Sequence, residues 1–324
     1  MIHITLPDGS LREYDQPLSI HEMAASISPG LARAAVAGRV NGVQVDCDFM
    51  LEQDARVSII TPREPEGLEI VRRSCALLLA MAVKQVYPRA QLLAGSALGD
   101  GFFYEFAYDR AFTATDLLLI EARMHQLAAT NHTIRRRELP WKKVLAFFIA
   151  LGEHYKAELI RALPEDDCLW LYSLGNFEDL CHGPHIPSTA ILQAFRLAHI
   201  TRNGAPLQRI YGGCWESQQE LDAWLAPQQA VVVNLDERQA DYAQSVVDEL
   251  RRAGVRVNGD LRKEKISHKI RHHREHGVPC LLVIGDKEMS GGFVSARTCT
   301  GEDLGEMKVG QIAEWLNAQV HLNA

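Results

Sequence analysis

The sequence predicts an α+β multidomain protein, with a small β-rich domain, then an α+β domain, then an α/β domain at the end. Three patterns predict this order. Short apolar alternations broken by turn residues fill residues 1–62, helix-periodic runs mixed with strands fill 63–225, and strands alternate with helices across 226–324.

In the first region Ile2 and Ile4 precede the turn Pro7-Asp8-Gly9, and a small helix is expected near Ile20 to Ser28. Val40-Asn41-Gly42-Val43 is a hairpin signal, because Asn-Gly readily takes the positive φ angles of a two-residue turn. The run Ala55 to Ile60 closes the region, and Pro62 and Pro65 mark its boundary.

In the second region Leu68, Val71, Cys75, Leu78, Leu79, Ala82 and Val83 recur at helical spacing from Gly67 to Val86, and Pro88 ends the pattern. A strand is expected over Gly101 to Phe106, with helices around Thr115 to Thr130 and Trp141 to Leu151. Irregular segments and short strands are expected from there to Ile210-Tyr211. In the third region Ala230 to Asn234, Val255 to Val257 and Cys280 to Ile284 read as strands of a largely parallel sheet. Helices are expected between them, one ending near Ala253 and one running through Lys269. The joint Trp224 to Gln228 is very short.

Composition excludes several classes. No apolar run approaches the length of about 20 residues that a membrane span needs, and the start Met1 to Pro7 has no basic then apolar export pattern, so a cytoplasmic location is expected. Seven scattered cysteines, Cys47, Cys75, Cys168, Cys181, Cys214, Cys280 and Cys299, form no C-x-x-C pair and indicate neither a disulfide framework nor a zinc ribbon. A net charge of −7 opposes indiscriminate polyanion binding, so any nucleic-acid surface must be a local basic patch.

Two constellations carry possible chemistry. In Asp179-Leu180-Cys181-His182-Gly183-Pro184-His185 a thiol and two imidazoles crowd one turn, which suits a metal, a nucleophile with its base, or simply a polar surface loop. Between Arg251 and His276 nine Lys or Arg residues outnumber three acids, which suits phosphates or a solvated helix face. A smaller cluster, Arg135-Arg136-Arg137 with Lys142 and Lys143, reads as solvent-facing, and Gly291-Gly292 reads as a hairpin turn rather than a phosphate cradle.

These segments together resemble bacterial threonyl-tRNA synthetase along nearly the whole chain, with that family's catalytic core missing from the middle. Ile4 to Ser10 and Ala37 to Gly42 resemble its TGS domain. Gly152 to Lys156, Asp179 to Pro187 and Leu207 to Gly212 resemble its editing domain, and Glu66 to Ile70 the lead into it. Asp260 to Ile266, Gly285 to Glu288, and Arg297-Thr298 before Gly301 to Gly305 resemble its anticodon-binding domain. The regions are thus expected to be TGS-like, editing-like and anticodon-binding.

The resemblance implies binding of threonine-type tRNA without ATP-dependent ligation, since Leu225-Ala226-Pro227 passes straight from the second region to the third. In the family a His-x-x-x-His pair faces the Cys-x-x-x-His pair and joins in hydrolysing seryl-tRNA wrongly made on threonine tRNA. Those two histidine positions here hold Arg73 and Leu77, while Cys181, His185, Asp179 and Lys156 remain. No metal site and no cofactor are therefore expected. Arg73 near Cys181 would favour a thiolate, turning the site toward acyl transfer to an unidentified acceptor.

Glu288 and Arg297 match positions that contact anticodon bases in the family, and Lys263 replaces a smaller polar residue beside Arg262 and Lys265. Two functions are expected: an enzyme acting in trans on the aminoacyl ester of tRNA by deacylation or transfer, or a non-catalytic tRNA-binding or regulatory protein. The family dimerises mainly through the missing core, so a monomer is expected.

Overall fold

The computed structural model describes every residue except 100, 166–167, 203, 205, 226–227, 276–277, 299–300 and 323–324. The joint residues Ala226 and Pro227, His276 and Cys299 therefore lie outside the described residues. The chain forms two compact units, Met1–Leu221 and Asp222–Ala324.

The first unit opens with a five-stranded sheet in the order Leu11–Tyr14, Ile2–Thr5, Ala55–Ile60, Ala37–Val40, Val43–Val45. Ile2 and Ile4 alternate inward, and the helix Ile20–Ile27 starts on a capping box between Ser19 and Glu22. Val40 pairs with Val43 across the expected hairpin, where Asn41 and Gly42 take φ of 49° and 89°.

The helix Pro65–Val86 follows at once, with Gly67 so close to Thr61 that a Cβ would sit 1.9 Å from its carbonyl oxygen. The helix is apolar over most of its circumference, and accordingly it is enclosed: Ile70, Val71 and Cys75 through Val83 are all buried. One face meets the antiparallel sheet Ala194–Arg202, Leu207–Trp215, Gly101–Ala107, Gln91–Leu98. Val36, Ala37 and Ile60 of the N-terminal sheet join the same core.

A three-stranded sheet, Ile134–Pro140, Cys168–Leu174, Phe177–Leu180, stands apart from the four-stranded one, with helices Trp141–Ala150 and His154–Arg161 beside it. The expected irregular stretch up to Tyr211 is corrected here. It holds strands of seven and nine residues whose alternation is obscured because several of their residues are buried on both faces.

The second unit has the sheet Val257–Asp260, Ala230–Asn234, Cys280–Ile284, Val294–Thr298, Asp303–Met307. The first three strands are parallel, as expected, but one of them runs over Val257–Asp260 rather than the expected Val255 to Val257. The last two pair antiparallel, so the sheet is mixed. Gly291-Gly292 is not a hairpin turn. It ends the short helix Asp286–Gly291, where Gly292 takes the left-handed cap at φ 66° and a Cβ on Gly291 would strike the Phe293 ring at 2.2 Å.

Candidate functional site

The strand Phe177–Leu180 delivers Asp179 inward and hands the chain to Cys181 through His185. This loop is held close to the strand beside it: a Cβ on Gly183 would fall 1.7 Å from the Tyr172 hydroxyl. The His185 ring meets the Tyr172 ring edge-on at 4.3 Å. Four residues apart in the chain, Cys181 and His185 come together with Sγ 3.4 Å from Nε2.

The other ring nitrogen, Nδ1, lies 3.0 Å from Ser74 Oγ on the long buried helix. Ser74 Oγ is 2.8 Å from the Ile70 carbonyl and accepts the Ile186 N–H at 3.0 Å, so we assign its proton to Ile70. Nδ1–H then donates to Ser74, and Nε2 turns its lone pair toward the thiol. Thiol, imidazole and hydroxyl thus form one hydrogen-bonded series.

Burial sets the resting charges. It pushes the Cys181 thiol well above its ordinary range, Asp179 adds to the rise, and Lys156 and Arg73 pull the other way without prevailing. Burial, helped by the Arg73 cation, depresses His185 to about 3. The pair therefore rests as neutral thiol and neutral imidazole. Arg73 acts on the thiol in the expected direction but is outweighed. Its guanidinium donates to the Pro184 carbonyl at 3.3 Å and pairs with Glu69 at 2.8 Å. Leu77 is buried in the core.

Lys156 and Asp179 form a buried ion pair at 2.8 Å, 2% and 1% exposed. Tyr104 donates its hydroxyl to Asp179, and Lys156 also reaches that hydroxyl at 3.2 Å and the Leu180 carbonyl at 3.4 Å. The helix His154–Arg161 places Lys156 there. Its start is fixed by Gly152 at φ 74° and by Glu153, whose buried carboxylate takes Lys84 and the Leu92 N–H. Lys156 and Cys181 share the wall of a cavity of about 410 Å³, otherwise mainly apolar, with Leu93, Leu159, Leu163 and Trp170 around it.

The structure thus unites Cys181, His185, Asp179 and Lys156, with Arg73 alongside. It adds Ser74, Tyr104, Tyr172 and Asp46, which sequence reasoning missed. Ser74, Tyr104 and Asp46 lie 52 to 139 residues from the site groups they bond, beyond any local pattern, and Tyr172 packs on His185 from the neighbouring strand. Among the described residues no three His, Cys, Asp or Glu side chains are placed to hold a metal ion, and no helix is long and apolar enough to cross a membrane.

In the second unit the loops following the three parallel strands lie at one end of the sheet, where such sheets commonly bind ligands. Arg262, Lys263 and Lys265 share the wall of a cavity of about 480 Å³ with Asn234 through Glu237. Lys263 pairs with Glu237 at 3.0 Å and Arg262 with Asp260 at 2.8 Å. Burial raises the Asp260 carboxyl, but bonds from Arg262 and His273 hold it below its usual range. Glu288 accepts from the Gly285 N–H at 2.9 Å and Ser295 Oγ at 2.7 Å, while Arg297 pairs with Asp303 at 3.2 Å. Arg297 stands opposite Leu281 near the start of its strand, whereas Glu288 follows that strand's end.

Matches to three domain families define the chain as a combination of TGS, tRNA synthetase second additional and anticodon binding domains. The TGS domain family matches residues 2–61, the threonyl and alanyl tRNA synthetase second additional domain matches 170–211, and the anticodon binding domain matches 229–319. In sequence the chain is similar to threonine–tRNA ligases, and only residues 212–228 separate the last two matches.

Threonine–tRNA ligase of Legionella pneumophila (strain Corby) is 47% identical over 232 residues, covering 69% of this chain and 36% of that protein. That of Methylococcus capsulatus is 48% identical over 230 residues, covering 68% and 36%. The chain thus spans about a third of the length of these curated relatives. Among solved structures, the RNA binding domain of threonyl-tRNA synthetase from Cryptosporidium parvum aligns over 98% of this chain and 86% of its own at 13% identity, TM-score 0.28. Histidyl-tRNA synthetase from Nostoc sp. aligns over 77% and 82% at 12% identity, also with TM-score 0.28. The matched domains point to tRNA as the partner.

Proposed function

We propose that this chain binds threonine-type tRNA and acts in trans on its aminoacyl ester, with Cys181 as nucleophile. The observation that carries the reading is the Cys181–His185–Ser74 series, with Sγ 3.4 Å from Nε2 and Nδ1 3.0 Å from the hydroxyl.

A neutral imidazole is a competent base. As Sγ attacks the ester carbonyl, its proton passes to His185 Nε2. The carbon–oxygen bond to the ribose then breaks, and the departing ribose oxygen takes that proton from His185 and leaves as a hydroxyl. A thioester remains on Cys181. Water completes deacylation, or an amine or hydroxyl acceptor completes transfer, again with His185 receiving the proton. Lys156, in the cavity wall, supplies positive charge against the oxyanion, and Asp179 with Tyr104 holds it in place. In the second unit Arg262, Lys263 and Lys265 attract phosphates while Glu288 and Arg297 meet anticodon bases. The working species is a monomer in the cytoplasm, which gel filtration and cell fractionation check.

A second reading, a tRNA-binding protein without catalysis, is favoured by one observation: Arg73 and Leu77 stand at two positions where imidazoles would serve water activation. One experiment divides the two. Purified protein is incubated with seryl- and threonyl-tRNA, with and without an amine acceptor, beside Cys181→Ala. Loss of ester that requires Cys181 supports the enzyme. Protection of the ester by both proteins supports the binder.

A further inference from the structure

We propose that Asp46, in the N-terminal TGS segment, is a positioning residue for the Cys181–His185 pair, making that segment part of the site; its catalytic meaning rests on the reading just given. Asp46 is 6% exposed, on a loop following the strand Val43–Val45. Its Oδ1 accepts the backbone N–H of His185 at 2.9 Å, and its Oδ2 accepts the Tyr172 hydroxyl at 2.9 Å, with Arg136 Nε 3.6 Å away. Among the described residues, these side-chain partners all belong to the region beyond residue 130, and none to the N-terminal sheet that carries Asp46.

A carboxylate withdrawn from water costs free energy unless donors meet it, and burial does raise this one's affinity for a proton. The folding of residues 1–62 gains no bond from that side chain. What gains is the loop of Cys181: one oxygen fixes the backbone of the base, the other fixes the tyrosine against which both Gly183 and the His185 ring pack. The anchor itself is firm. Phe49 N–H closes a turn on the Asp46 carbonyl at 3.1 Å, His21 N–H donates to the Cys47 carbonyl at 2.9 Å, and Cys47 is buried beside Ala24 and Ala35.

The test uses the full chain and reads Cys181 directly. Alkylation by iodoacetamide is followed by peptide mass spectrometry as the ratio of Cys181 to Cys168, an exposed thiol on the same cavity that serves as reference. Asp46→Asn keeps an acceptor for the His185 N–H and is expected to stay within about twofold of the wild-type ratio. Asp46→Leu has no acceptor. It frees the loop, exposes the thiol further and raises the ratio about tenfold.

A leucine variant at the wild-type ratio, or an asparagine variant as disturbed as the leucine one, overturns the proposal. Should Asp46→Leu fail to fold, Tyr172→Phe decides: it deletes one donor to Asp46 and must raise the ratio, and an unchanged ratio overturns the proposal. Because the readout needs no tRNA, a shifted ratio in a protein without ester activity keeps the positioning role and rejects the proposed reaction.

Discussion

At the scale of single residues, the site is governed by groups removed from water with their partners. Lys156 and Asp179 satisfy each other at 2.8 Å, both almost fully enclosed. Replacing one partner leaves the other uncompensated, so Lys156→Met is expected to lower stability by about 3–5 kcal/mol in urea unfolding of the full chain. Adding Asp179→Leu to it removes the stranded charge, and the double variant should be more stable than the single. A double variant weaker than Lys156→Met would mean that the pair's geometry matters more than its charge. His185 makes a separate prediction, on pH. Its folded value of about 3 lies below the ordinary 6.5, so the unfolded chain takes up the proton first as pH falls. The stability that neutral His185 contributes is therefore complete above about pH 6.5 and is lost progressively as pH falls toward about 3. His185→Gln should flatten that part of the stability profile, measured by thermal unfolding across the range.

At the scale of elements, local chemistry was legible and long-range encounter was not. The helix Pro65–Val86 announced itself by apolar spacing, and the Asn41-Gly42 turn by a dipeptide whose positive φ angles few other residues tolerate. The loop from Asp179 to His185 was legible as crowded chemistry. Its use was not: the partners that orient it arrive from the N-terminal loop, the long helix and two strands, each by tertiary packing that leaves no spacing to read. The antiparallel edge of the second sheet escaped for a related reason, since Val294–Thr298 and Asp303–Met307 are short, with Gly301 between them at φ 100° and Gly305 inside the second strand at φ 81°. Lys269 shows the same limit. Its place in a basic stretch suggested phosphate contact, yet it is 1% exposed, and Nζ donates to Asn234 O, Asn234 Oδ1 and Asp260 O at 3.1, 2.7 and 3.0 Å. It ties together the ends of two parallel strands, Ala230–Asn234 and Val257–Asp260, which carry the loop Leu261 to Lys265. Lys269→Met is expected to weaken tRNA binding about tenfold by loosening that loop, while leaving the salt dependence of binding unchanged because no phosphate contact is lost. Filter binding at several salt concentrations checks both halves of this statement.

At the scale of the whole molecule, a chain of net charge −7 must hold a polyanion by position rather than by its overall field. Several cations of the second unit are already committed within the fold: Arg262 to Asp260, Lys263 to Glu237, and Lys269 to oxygens of Asn234 and Asp260. Lys263 and its acid are nonetheless exposed, 88% and 74%, so a phosphate can take the lysine from its partner at small cost. Each phosphate neutralised releases condensed counterions, which steepens the fall of affinity with salt by roughly 0.7 to 0.9 in log–log slope. Lys263→Ala and Lys265→Ala should therefore each weaken tRNA binding and lower that slope by roughly that amount. Glu237→Gln acts oppositely: it frees Lys263, and affinity at low salt should rise. If all three substitutions leave the slope where it was, phosphates are held elsewhere than on the wall formed by Leu261 to Lys265. Cations that meet the ligand change how binding responds to salt, whereas a buried cation that shapes the loop changes affinity alone.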